Sequence, residues 1–282
     1  MIEFNNVSFT YSQGPSVSNV SFKINDGEFV AIVGSNGAGK TTTAKLLRGL
    51  LKPTSGSVVI DGKDTRTTKT SLLAKDMGFL FQNPDRQICQ NTVAKEIAFG
   101  IEAAGIKGAV SSREPAHGSE TAGNITYAQS RAVEICSKFG FDPESDPFTL
   151  SRGQRQKVAL ASIIALDPKI MILDEPTTGL DYRECMQMMN VIKELNSRGV
   201  TVVMVCHDME VVLDFAKRMI VMSGGSVIAD GTPHNIFRDH DIMERASILP
   251  PQITELAIRL GGSFYNCDSC GEVLAEMEVS EK

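Results

Sequence analysis

Short, unbroken apolar runs alternate along this chain with longer stretches of helical periodicity. Residues 28–33, Glu-Phe-Val-Ala-Ile-Val, form such a run. With no polar alternation, it predicts a strand buried on both faces. The run breaks into a glycine-rich turn, and residues 40–51 then carry a helical pattern. Residues 169–173 and 200–206 are further apolar runs with β-branched content, which suit central parallel strands. Residues 2–9, 20–24 and 57–61 predict a second, smaller sheet. Gly224-Gly225, between residues 218–222 and 226–230, predicts a hairpin turn. From about 92 to 166 the pattern is mostly helical, interrupted at 107–124 by Gly, Ser and Pro residues that predict an exposed, mobile loop. The tail beyond Asp239 predicts helices over 254–260 and 272–278.

Composition narrows the classes without naming one. The 282 residues suit one large domain or one and a half, and a 42% hydrophobic content supplies ample core material. A balance of 28 basic against 34 acidic residues gives a net charge of −6, without the overall basic footprint of a nucleic-acid binder. The first residues, Met1-Ile2-Glu3-Phe4, lack the basic and apolar regions of a signal peptide. The longest apolar run, residues 158–166, is about half of what a bilayer span requires. A soluble protein is therefore expected, one whose membrane role would need a partner. Six scattered cysteines read as reduced thiols rather than a disulfide framework.

The strongest local chemistry is Gly34-Ser35-Asn36-Gly37-Ala38-Gly39-Lys40-Thr41, followed by Thr42. It satisfies G-x-x-x-x-G-K-[ST] between a predicted strand and a predicted helix, the context a phosphate-binding loop requires. Glycines let the backbone wrap closely round an anion, and successive N–H groups at the helix start donate to phosphate oxygens. Lys40 would neutralise the β- and γ-phosphates, and the Thr41 hydroxyl would ligate Mg²⁺. Residues 170–175 supply a second element, an apolar strand ending in Asp174-Glu175. Asp174 falls at the strand's carboxyl end, where open α/β sheets bind ligands, and can serve Mg²⁺. Glu175 points elsewhere and can polarise a water for attack on the γ-phosphate.

On these motifs the chain resembles an ATP-binding cassette (ABC) ATPase. The hallmark Leu-Ser-Gly-Gly-Gln of that family is matched by Leu150-Ser151-Arg152-Gly153-Gln154 at a helix start. The resemblance implies that Ser151, Gly153 and Gln154 bind the γ-phosphate of ATP held on the P-loop of a second ATPase subunit, in a head-to-tail homo- or heterodimer. Further positions match singly. Tyr11 resembles the aromatic that stacks on adenine, and Gln82 the glutamine that contacts Mg²⁺ and the attacking water. Asp181 resembles the loop aspartate that couples the two sites, and His207 the histidine that clamps the γ-phosphate.

The implied fold is α/β: a P-loop NTPase (RecA-like) parallel-sheet core with an antiparallel β-subdomain, an α-helical subdomain at about 85–166 and a helical C-terminal extension. The implied domains are a nucleotide-binding unit over 1–237 and an extension over 238–282 that serves dimerisation. Arg152 departs from the signature, and two readings stand: a tolerated outward-facing side chain, or a cation that alters the partner's composite site. Arg152→Gly is expected to change ATP turnover less than tenfold.

Residues 81–87, Phe-Gln-Asn-Pro-Asp-Arg-Gln, and residues 249–257 are similar to energy-coupling factor ATPases. Resemblance to that branch implies uptake of a vitamin or of nickel or cobalt ions, with the chain bound peripherally at the cytoplasmic face of the cell membrane. It also implies a membrane scaffold subunit and a substrate-binding membrane subunit as partners, and no nucleic acid. Asn83-Pro84-Asp85 also reads as an ordinary turn, and Pro250-Pro251 as a stop before a helix beginning near Gln252. The rivals are the ATPase of another ABC importer type and a soluble ABC-family regulator. Cys267-Asp268-Ser269-Cys270 lacks the second pair that zinc normally needs, leaving no function or metal binding across a dimer interface as its readings.

Overall fold

In a computed structural model the described residues are 1–12, 14–106 and 126–280, so the loop expected at 107–124 lies outside them. The chain opens with β1 (Ile2–Tyr11) and β2 (Gly14–Ile24), paired antiparallel. Both strands are longer than the apolar alternation alone predicted, because their far ends pair with each other rather than with the core. The fully buried β3 (Phe29–Val33) follows and runs through the glycine turn into α1 (Lys40–Leu47). That helix stops short of the expected residue 51, since Arg48 caps it and Gly49 turns left-handed at φ +71°. β4 (Ser55–Ile60) returns to pair with β1, and the two-residue β5 (Lys63–Asp64) completes a four-stranded antiparallel sheet ordered β2-β1-β4-β5.

After the short α2 (Thr70–Leu73) comes β6 (Met77–Leu80), a strand the sequence reading did not pick out. Four apolar residues are too few to show a period, and pairing with a distant strand is what makes the segment extended. The helices α3 (Val93–Ala103), α4 (Tyr127–Phe139) and α5 (Arg152–Ile164) occupy the expected helical region. Then β7 (Ile170–Asp174), α6 (Tyr182–Ser197), β8 (Thr201–Val205) and α7 (Met209–Phe215) alternate. A hairpin of β9 (Arg218–Ser223) and β10 (Ser226–Gly231) turns at Gly224 and Gly225, both at positive φ.

The second sheet has the order β10-β9-β3-β8-β7-β6, and every pair in it is parallel except the terminal hairpin. Its strands bury both faces, and alternate residues serve two cores. Val30, Ile32, Ile172 and Val203 pack with α1 and the antiparallel sheet. Ala31, Val33, Leu173 and Met204 pack against the helical side with Ile97, Leu160 and Met189. A continuous apolar run is thus two interleaved faces of period two. Burying a strand side chain of this kind contributes about 1.5–3 kcal/mol.

The tail forms α8 (Pro233–Phe237), α9 (His240–Ala246), α10 (Gln252–Leu260) and α11 (Cys270–Ser280), of which α8 and α9 were not anticipated. Pro251 stands immediately before α10, as the helix-entry reading required. Ile236, Phe237, Met243 and Ala246 bury α8 and α9 against the main core, whereas α10 and α11 gather round a small cluster of Ala257, Cys267 and Val273, where polar bonds add to the anchoring. Asp268 receives Arg238 Nη1 at 2.9 Å and pairs with His234 Nδ1 at 2.5 Å. Burial acts to raise the Asp268 pKa, but these two partners outweigh it and hold the carboxyl below its ordinary value. Cys267 is buried and Cys270 exposed, and among the described residues no group of three or more His, Cys, Asp or Glu is placed to hold a metal.

Candidate functional site

Parallel pairing puts the carboxyl ends of β3, β6, β7 and β8 on one edge of the sheet, the edge at which open α/β sheets place ligands. Four segments far apart in sequence therefore meet there. The glycine turn leaves β3, Gln82 follows β6, Asp174 and Glu175 end β7, and His207 follows β8.

The turn itself depends on backbone that only glycine adopts easily. Gly34, Gly37 and Gly39 have φ of +144°, +82° and +101°. A Cβ on Gly34 would overlap the Met222 carbonyl, so the turn presses directly on β9. α1 begins at Lys40, and its first N–H groups face the cavity mouth without intrahelical partners. The Lys40 side chain is 5% exposed, and its Nζ donates to the Gly34 and Ser35 carbonyls at 2.8 and 2.9 Å. Burial lowers its pKa, while Glu175 and Asp174 pull the other way. A buried ammonium whose hydrogen bonds among the described residues go to neutral carbonyls is available to bind an anion.

Opposite it, Thr41 Oγ1 donates to Asp174 Oδ1 at 3.3 Å. Asp174 is 6% exposed, and burial first, then the neighbouring Glu175, push its pKa up. A hydroxyl beside a buried, under-neutralised carboxylate is the oxygen donor set that suits a small hard dication such as Mg²⁺.

Glu175 departs from strand geometry. Its φ of +51° is left-handed, a conformation costing a non-glycine residue on the order of 1–3 kcal/mol. The twist swings its carboxylate away from Asp174, as the sequence reading anticipated, and into three side chains. Gln82 Nε2 donates to Oε2 at 2.5 Å, Thr178 Oγ1 to the same oxygen at 3.2 Å, and His207 Nε2 lies 2.7 Å from Oε1. A carboxylate so tethered has a fixed aim, which general-base work demands. The cavity between these groups measures about 170 Å³ and is lined by Asn36, Gly37, Gly39, Lys40, Thr41 and Thr42 on one side and Glu175 and His207 on the other. It is smaller than the roughly 300 Å³ of pockets that enclose a whole small-molecule ligand, and suits a phosphate group.

Two contributors escaped the sequence reading. Ser16 of β2 also lines the cavity, its Oγ 2.8 Å from Thr42 Oγ1. No motif marks it, because a sheet far from the turn delivers it. Thr178 did carry a signal, a hydroxyl three residues after an acid. Other expected residues stand apart. Tyr11 does not line the cavity and packs edge-on against Phe9 at 4.8 Å. Ser151, Gly153 and Gln154 do not line it either. Ser151 caps α5, its Oγ accepting from Gln154 N at 3.2 Å while Gln154 Oε1 accepts from Ser151 N at 3.0 Å. Asp181 caps α6 in the same reciprocal way with Glu184.

Comparison with known proteins agrees with this geometry. The ABC transporter family profile matches residues 17–178. A relative described as an ABC transporter ATP-binding protein, from Caldanaerobacter subterraneus subsp. tengcongensis, is 39% identical over 95% of this chain, which spans 45% of that relative's length. The energy-coupling factor transporter ATP-binding protein EcfA of Methanothermobacter thermautotrophicus is 37% identical, with 95% of this chain covering 82% of the relative. A dimeric ATP-binding cassette, solved in a post-hydrolysis state bound to ADP and Pi, superposes with a TM-score of 0.71 at 31% identity. That match covers 83% of this chain and 99% of the other. Family profile, sequence kinship and shared architecture agree: the chain belongs to the ABC transporter family.

Proposed function

We propose that this chain is the ATP-hydrolysing subunit of an energy-coupling factor importer. The observation that carries the chemistry is the convergence of Lys40, Thr41 and Asp174 with a Glu175 carboxylate aimed by Gln82, Thr178 and His207. ATP binds with its β- and γ-phosphates in the glycine turn, where Lys40 exchanges its two carbonyl partners for phosphate oxygens. Such charge-assisted bonds are about twice as strong as neutral ones. Mg²⁺, when bound, neutralises phosphate charge, and Thr41, Asp174 and Gln82 are the side chains that would hold it. Glu175 accepts a proton from the water that attacks the γ-phosphorus, and ADP leaves as the P–O bond breaks. His207, released from Glu175, turns to the γ-phosphate. Tyr11 meets the adenine.

The half-site is completed by a second cassette, homologous or identical, whose Ser151, Gly153 and Gln154 equivalents bring a helix N-terminus to the γ-phosphate. Binding closes the pair, hydrolysis removes the bridging charge, and a membrane scaffold subunit with a substrate-binding membrane subunit follows that motion at the cytoplasmic face. Among the described residues no helix is long and apolar enough to cross a membrane, so the chain would act on such subunits peripherally. Kinship with EcfA over nearly the whole chain supports this branch. So do Asn83-Pro84-Asp85 and Pro250-Pro251. The first is built as a turn with Asn83 Oδ1 accepting from Asp85 N, and Arg155 of the signature helix pairs with Asp85 at 2.8 Å. The cargo would be a micronutrient, a vitamin or a nickel or cobalt ion.

The deciding experiment is affinity capture of the tagged chain from detergent-solubilised membranes of its own host. Recovery of a second cassette and a polytopic scaffold protein is expected. Recovery of ribosomes or DNA instead, with no membrane protein, would overturn the importer assignment.

A further inference from the structure

The turn joining β7 to α6 carries Glu175 at its start and is held along its length. Thr178 Oγ1 binds Glu175 Oε2, and the turn ends where Asp181 caps α6. Between them Gly179, at φ +80°, lies beneath the Arg152 side chain. A Cβ on Gly179 would come 3.0 Å from Arg152 Nε, 3.1 Å from Cζ and 3.2 Å from Cδ. The arginine therefore lies across the glycine backbone, on its own chain. The contact has a counterpart one residue on. A Cβ on Gly153 would collide with the Glu184 carboxylate, from the first turn of α6. Lower down, Lys157 Nζ donates to Gln187 Oε1 at 2.8 Å. The start of α5 and the Glu175 turn are thus interlocked, each presenting a glycine to the other's side chain.

Arg152 is nonetheless poorly suited to its position by itself. It is the first residue of α5, where the helix dipole disfavours a cation. Its side chain lies over Gly179, and the Glu184 carboxylate lies against the next residue, Gly153. Neither of the two sequence expectations for Arg152 includes this contact.

We propose that Arg152 is a positioning residue that clamps the Glu175 turn to the start of the signature helix. Displacement of the α5 N-terminus then passes through Gly179 and Thr178 to the Glu175 carboxylate. This rests on the reading of Glu175 as the base. The signature helix start is the part proposed above to meet another subunit's phosphate, so the clamp ties arrival of that phosphate to the aim of this chain's own carboxylate.

The test uses the full chain and its variants Arg152→Gly, Arg152→Lys and Glu175→Gln. Amide hydrogen exchange is followed over residues 175–184, binding with a fluorescent ATP analogue, and kcat and KM separately, with the natural second cassette present if one is required. In Arg152→Gly, exchange in that peptide should rise about tenfold, as for any locally loosened segment. The value of kcat should fall about three- to fivefold with KM within about twofold of the parent, the signature of a lost transition-state alignment. Arg152→Lys, which keeps the stem and the charge, should recover at least half of both effects. Exchange and kcat unchanged in Arg152→Gly would overturn the clamp, with Glu175→Gln still inactive and analogue binding intact. Parent-level turnover in Glu175→Gln would overturn the reading of the base instead, whatever Arg152 does.

Discussion

The two helix starts proposed above to meet phosphate are built differently. At Lys40 the approach is through three left-handed glycines, the N-cap Gly39 has no side chain to give, and a buried ammonium leans on carbonyls. At Ser151 the helix closes itself: the capping box satisfies its first donors, and none of Ser151, Gly153 and Gln154 reaches the cavity. The first start is surrounded by polar groups delivered from β2 and from the ends of β6, β7 and β8. The second has α6 packed beside it, with the Glu184 carboxylate against Gly153. In the function proposed above, the first is a reaction centre and the second is the lid that another subunit would bring to it; within this chain the two do not share a cavity.

Breaking the reaction centre should have the largest effect. Glu175→Gln removes the proton acceptor but keeps the Gln82 and Thr178 geometry nearly isosteric. Turnover should fall about 10²–10⁴-fold. ATP affinity, read by equilibrium binding, should persist, and a closed ATP-loaded dimer should accumulate on size exclusion. Lys40→Ala comes next. Losing charged hydrogen bonds worth about 1.5–3 kcal/mol should weaken binding of a fluorescent ATP analogue about 10–100-fold. Parent-like affinity would remove the phosphate site from the glycine turn.

Ser151→Ala tests the other helix start and sharpens the contrast. Loss of the N-cap should cost about 1 kcal/mol of stability in urea titration. Nucleotide affinity of the isolated chain should stay within about twofold of the parent, because the half-site at Lys40 does not include Ser151. A drop in affinity matching that of Lys40→Ala would mean the two helix starts serve one site within one chain.

The smallest effect is expected where neither helix start is involved. Asp268→Asn removes the negative charge, and one of the two acceptor oxygens, that anchor His234 and Arg238 to the C-terminal extension. Because folding depresses the Asp268 pKa, its contribution is present above the unfolded value of 3.8 and fades as pH falls through the lower folded value. At pH 7 the variant should melt about 2 °C lower, the two curves should converge as the pH falls below the folded pKa of Asp268, and nucleotide binding should not change. A pH-independent difference would show that packing, not the carboxylate charge, holds the extension.

Legibility in the sequence followed the distance over which each feature is specified. The glycine turn was readable because phosphate binding there is done by consecutive backbone groups, and Gly34, Gly37 and Gly39 report positive φ by being glycine. The strand pattern of residues 170–174 predicted where Asp174 would end. Gln82 and His207 were found through family likeness, since a lone glutamine or histidine carries no local signature. Ser16 was invisible because β2 reaches the site only through the pairing of two sheets. β6 was invisible because four apolar residues become a strand only beside β7. For Arg152 the sequence leaves open an outward-facing side chain or a cation acting on a partner's site, because no local pattern shows that the turn at Gly179 lies beneath it.

Local covalent order, then, settled most of the core strands, the glycine turn with its positive-φ positions, and the acids at the end of residues 170–174, because each depends on residues a few positions apart. The tertiary structure alone decided that Glu175 takes a left-handed twist into Gln82, Thr178 and His207, and that Ser151, Gly153 and Gln154 do not line the cavity at the chain's own P-loop. Those outcomes come from strands distant in sequence lying parallel and from helices packing face to face, and no local pattern encodes a neighbour that arrives from far along the chain.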